Sequence, residues 1–204
     1  MSHDRSPHTL LRPGLLDGVT LLAVQAQGEA GLSDAAARLA RELGADVAEV
    51  TLERAGDAQP DEARAGELIG AALGRLGRLD VLLIDGAASF AAGGGQDALL
   101  ACLALCWDAT RAAAERAFLG GDGGRVLLLA PAPDAGTHAG AALAALENLA
   151  RTLSIEWARH GVTVVTLAPG ATTSAEEVAS VAAYLSSPAG SYFSGCLLDM
   201  RGAV

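Results

Sequence analysis

Short apolar runs alternate with amphipathic runs from one end of this chain to the other. That alternation is what a parallel sheet sheathed by helices requires. Strands buried on both faces are apolar throughout, whereas a covering helix is apolar on one side only. The pattern predicts strands over residues 19–24, 46–52, 80–84, 125–130, 162–167 and 196–200. Helices are expected between them over 32–43, 61–76, 96–118, 139–159 and 175–185. Right-handed crossovers then give a three-layer, doubly wound α/β sheet of about six strands.

The chain has 204 residues, 51% of them hydrophobic, which suits one substantial core, so residues 18–204 read as a single domain behind a loose extension over 1–17. Its net charge of −10, from 24 acidic and 14 basic residues, gives no phosphate-tracking surface, so nucleic acid is not an expected partner. The polar opening MSHDRSPHTLLRPGLLDG has no apolar signal-peptide region, and no later run is long enough to span a bilayer. With three cysteines, an odd number, these features point to reduced thiols, a cytoplasmic location and no membrane association. Cys102 and Cys106 are one helical turn apart, but no histidine or acid is placed to complete a metal site, so they read as core thiols.

Five segments, in order, resemble the short-chain dehydrogenase/reductase family. LLDGVTLLAVQAQGEAGLSDAAARLARELGADV is similar to its first strand, glycine turn and helix, and LGRLDVLLIDGAA to its Asp-Val-Leu-Val-Asn-Asn-Ala-Gly strand. GGRVLLLAPA resembles the strand that ends at the catalytic serine, and SYFSGCLLDMRGA the closing strand. AALENLARTLSIEWARHGVTVVTLAPG, with its Pro169-Gly170 turn, is the closest match. The resemblance implies a Rossmann-like sheet, shortened by one βα unit after the second strand and by the helical substrate lid after Gly170.

The same resemblance exposes departures at each functional position. The three glycines of the family's phosphate-binding turn fall on Gln27, Gly31 and Ser33, and its Asn, Ser, Tyr and Lys on Cys102, Pro131, Ala139 and Leu143. The chain contains no lysine, and its only tyrosines are Tyr184 and Tyr192. Without a tyrosine to move the carbonyl proton, or a lysine to lower its pKa and hold the nicotinamide ribose, hydride transfer has no acid/base partner. The expectation is a chain that binds no NAD(P) itself.

Two long helices are retained, and in the resembled family they form a four-helix bundle across a two-fold axis. On the first, Leu100, Leu103, Trp107, Ala114 and Phe118 read as the core stripe, leaving Cys102, Leu105, Ala109, Ala112 and Ala113 as an outer apolar face. On the second, Leu146, Leu149, Leu153 and Trp157 read as core, with Ala141, Ala144, Asn148, Arg151, Thr152 and Ile155 outside. These outer faces are interface candidates. The expected partner is an active short-chain dehydrogenase/reductase paralogue of the ketoreductase type that carries the NAD(P), in a hetero-oligomer such as a heterotetramer. The alternative is a cofactor-independent enzyme or ligand-binding protein that reuses the cleft, with Asp134 and His138 as its polar groups. Asp85, at the tip of the third strand, reads equally as a turn residue.

Overall fold

The computed structural model describes residues 11–26, 31–52, 62–93 and 95–202. Six strands form one parallel sheet: β1 (Thr20–Ala26), β2 (Asp46–Leu52), β3 (Val81–Asp85), β4 (Gly124–Leu129), β5 (Val162–Pro169) and β6 (Cys196–Met200), in the order β2-β1-β3-β4-β5-β6. β2 is therefore an edge strand. The sheet order 3-2-1-4-5-6 of dinucleotide-binding folds would place a further strand outside it. The helices are α1 (Leu32–Glu42), α2 (Glu62–Leu76), α3 (Gly86–Ala91), α4 (Gly95–Ala113), α5 (Ala139–Glu156) and α6 (Ala175–Ser186).

Side chains along the strands alternate between two cores, as the period of two demands. Leu22, Val24, Leu82, Ile84, Val126 and Leu128 face α2, α4 and α5. Leu21, Ala23, Val81, Leu83, Leu127 and Leu129 face α1 and α6. Asp80 ties the amino ends of β1 and β3 together, its Oδ2 accepting from the Thr20 N–H and hydroxyl, each at 2.8 Å. α6 begins in a capping box, in which Ser174 Oγ accepts from the Glu177 N–H at 3.2 Å and Glu177 Oε2 from the Ser174 N–H at 2.8 Å.

Three expectations change. The packed domain starts before residue 18, because Leu16 is fully buried in the α1/α6 core; of the expected extension, residues 1–10 lie outside the described residues. α3 is an additional helix, six residues long, whose sequence GAASFA has too few apolar positions to show a helical period. A π turn over Ala114–Phe118 ends the helix expected over 96–118. It advances fewer degrees per residue than an α-helix and so brings Phe118 inward, where it is fully buried.

Candidate functional site

In open α/β sheets ligands bind beyond the carboxyl ends of the strands, where the strand order reverses. Here that point lies between β1 and β3, whose last paired residues are Gln25 and Asp85. The space is occupied by side chains of the protein itself. Asp85 has no solvent exposure; its Oδ2 accepts from the Ser33 N–H at 2.8 Å and its Oδ1 from the Ala88 N–H at 2.8 Å. One carboxylate thus caps the amino ends of both α1 and α3. Burial pushes the Asp85 carboxyl above its ordinary range, against the downward pull of its bonds from Ser33 and Ala88. Beside it, Asp34 Oδ2 accepts from the Gly31 N–H at 2.5 Å, and Ser33 Oγ donates to Gln25 Oε1 at 2.9 Å. Gln27, the first of the three turn positions, lies outside the described residues.

The positions aligned with the family's catalytic groups are buried and apolar. Cys102 is inaccessible, Ala139 begins α5 at 1% exposure, and Leu143 lies one turn further along at 9%. Pro131 is buried just beyond β4. A Cβ added to Gly86 would meet Leu129 O at 2.8 Å and the Cys106 and Cys102 sulfurs at 3.0 and 3.1 Å, so both thiols pack directly under the start of α3. Contact with the Cys102 thiol and burial hold Cys106 well above the ordinary thiol range, which suits a core thiol. No group of three or more His, Cys, Asp or Glu side chains that could hold a metal occurs among the described residues.

Asp134 and His138 both lie in the β4–α5 loop. Asp134 is exposed, and His138 occupies the N-cap position of α5 without making a side-chain cap bond. No hydrogen bond between them is found among the described residues. After β5 the chain turns at once into α6: Thr173 Oγ1 accepts from the Gly170 N–H at 2.8 Å and donates to Met200 O at 3.0 Å. That tight stitch leaves no room for a lid.

A cleft of ≈ 790 Å³ lies at the opposite, amino end of the sheet, between Val19, Asp80, Gly124 and Gly161. Arg78, Asp80, Glu115 and Arg125, four of the charged residues that line it, are engaged within the chain. Arg78 pairs with Asp80 at 2.9 Å, Arg111 with Glu115 at 3.0 Å, and Arg125 Nη1 donates to Ser186 O and Ser187 O at 2.6 and 2.7 Å.

The interface candidates divide between the two long helices. Along α4 the expected faces are exchanged, although Ala114 and Phe118, in the π turn that follows, are buried as expected. Cys102, Leu105, Ala109 and Ala112 are buried in the chain's own core, whereas Leu100 and Trp107 are 53% and 42% exposed. Both stripes recur at helical spacing, and the expectation assigned the larger residues to the core. α4 packs between α2 and α5, where small residues permit close approach, so the alanine face turns inward. On α5 the expected phase is found: Leu146 and Leu153 are buried, while Ala144, Asn148, Arg151 and Ile155 are exposed.

No family model and no curated protein matches this chain. Solved structures do. A short-chain dehydrogenase from Mycobacterium smegmatis superposes with a TM-score of 0.76 at 26% identity, covering 94% of this chain and 95% of that one. A citronellol catabolism dehydrogenase of Pseudomonas aeruginosa gives 0.74 at 24% identity, covering 94% and 97%. A hydroxysteroid dehydrogenase from Escherichia coli gives 0.72 at 17% identity, covering 94% and 99%. The chain therefore carries the α/β fold seen in short-chain dehydrogenase/reductases.

Proposed function

We propose that this chain is a non-catalytic member of a short-chain dehydrogenase/reductase assembly, which binds an active ketoreductase- or dehydrogenase-type paralogue and supports its quaternary structure. The observation that carries this reading is the absence of lysine from all 204 residues, together with tyrosines only at 184 and 192, on and beyond α6. No tyrosine–lysine pair can be built on α5. The residues at the start of α1 also do not fit a dinucleotide: the Ser33 N–H that would face a phosphate is bonded to Asp85, and a second carboxylate, Asp34, lies beside it. The exposed face of α5, with Ile155 at 78% exposure, supports an assembling role. NAD(P) would then be held by the paralogue.

Two measurements test the reading. Titration with NADH and NADPH, followed by nicotinamide fluorescence, should show no saturable binding to the lone chain; binding in the micromolar range would sink the non-catalytic part. Co-expression with a full-length active paralogue should yield a complex that elutes as one species, with higher reductase activity per active subunit than the paralogue alone. Separate elution at all tested concentrations would remove the assembly part.

A further inference from the structure

We infer that Asp85 is a built-in anion, the chain's own replacement for the phosphate group that dinucleotide-binding folds take up at the start of their first helix. In such folds the turn glycines let a phosphate approach backbone N–H groups, and the helix dipole favours its negative charge. Gly31 serves the same steric purpose here with a different occupant. A Cβ at Gly31 would lie 2.4 Å from Asp85 Oδ2, so the volume left free by the missing side chain holds the Asp85 carboxylate. Three of the local donors are committed as well. The Gly31 N–H bonds Asp34 Oδ2, the Ser33 N–H bonds Asp85 Oδ2, and the Asp34 N–H bonds Gly31 O at 3.3 Å. An incoming phosphate would have to displace one carboxylate while repelled by another.

The chemistry of the site selects an aspartate. Each carboxyl oxygen accepts one backbone N–H, from Ala88 at Oδ1 and from Ser33 at Oδ2. An asparagine of the same shape would turn its NH₂ group toward one of those donors and leave that N–H unsatisfied in a fully buried place. The inference stands on this geometry alone and does not depend on the assembly proposed above. A chain that failed to bind any paralogue would still carry its own anion at α1.

Chemical rescue tests it. Asp85→Ala removes the carboxylate and leaves a hole beside the Ser33 and Ala88 N–H groups, which sodium formate can fill. Thermal unfolding at pH 8, in formate and in chloride of equal ionic strength, should show the variant melting well below wild type and rising by several degrees, saturably, in formate only. Wild type should show no formate-specific rise. Asp85→Asn fills the same volume and should be destabilised without being rescued, and it decides the question if the alanine variant does not fold. An asparagine variant as stable as wild type, or an equal formate response from wild type and Asp85→Ala, overturns the inference. So does saturable binding of inorganic pyrophosphate to wild type in calorimetry, unchanged by Asp85→Asn.

Discussion

α4 and α5 lie side by side on the same face of the sheet and are both rich in alanine, yet they are buried to different depths. α4 has neighbours on both flanks, α2 and α5, as well as the strands beneath it. Its Cys102, Cys106, Ala109, Thr110 and Ala113 are all fully buried. Among the described residues the main helix contact of α5 is with α4, and Ala144, Asn148, Arg151 and Ile155 on its other side are exposed. The difference shows that alanine on a helix carries no fixed meaning. In the middle of a helical layer it allows close approach of neighbours, and at the margin of the layer it marks a face with nothing yet against it.

The comparison breaks most sharply at Ala109. Because this methyl group is fully buried, Ala109→Arg should place an unpaired charge in a packed interior and cost at least about 3 kcal/mol, or abolish folding. Urea unfolding followed by circular dichroism measures the loss. A midpoint equal to that of wild type would mean that the small-residue face of α4 points outward after all.

A smaller effect of opposite sign is expected one residue along. Thr110 Oγ1 is buried and has no hydrogen-bond partner among the described residues. Thr110→Val keeps the shape and removes the unsatisfied hydroxyl, so it should stabilise the chain by about 1 kcal/mol. A destabilised valine variant in the same unfolding assay would show that the hydroxyl finds a partner in solution, such as an ordered water.

The sequence made the sheet legible because five of the six strands are almost continuously apolar and each is separated from the next by a helix of distinct period. β2 reads differently: in Asp46–Leu52, apolar residues alternate with Asp46, Glu49 and Thr51, as befits an edge strand. α5 was legible because only one of its stripes carries leucines. α4 was not, since its two stripes both satisfy helical spacing and only the neighbouring helices decide between them. The role of Asp85 was hidden for another reason. An acid after four apolar residues and before Gly-Ala-Ala is an ordinary N-cap signal. Its second bond, to the Ser33 N–H, spans 52 residues and exists only once β1 and β3 are paired.

The smallest effect on the chain itself, and the most informative for its role, is expected at Ile155. At 78% exposure this side chain contributes little to the folded monomer, so Ile155→Glu should change stability by no more than about 0.5 kcal/mol. The new carboxylate would lie one turn from Arg151, which already pairs with Glu147 at 2.6 Å, so the exposed helix face can accommodate the charge in water. Association is a different matter. If the outer face of α5 is where a paralogue docks, the same carboxylate would be buried against an apolar surface without a partner, and the complex should be lost while circular dichroism and the urea midpoint of the lone chain stay unchanged. Co-purification measured alongside unfolding separates the two effects. An Ile155→Glu chain that still co-elutes with the paralogue at the wild-type position would remove α5 from the interface. With the small-residue face of α4 already inside the monomer, the assembly surface would then have to lie at the Leu100 and Trp107 side of α4 or along the edge strand β6.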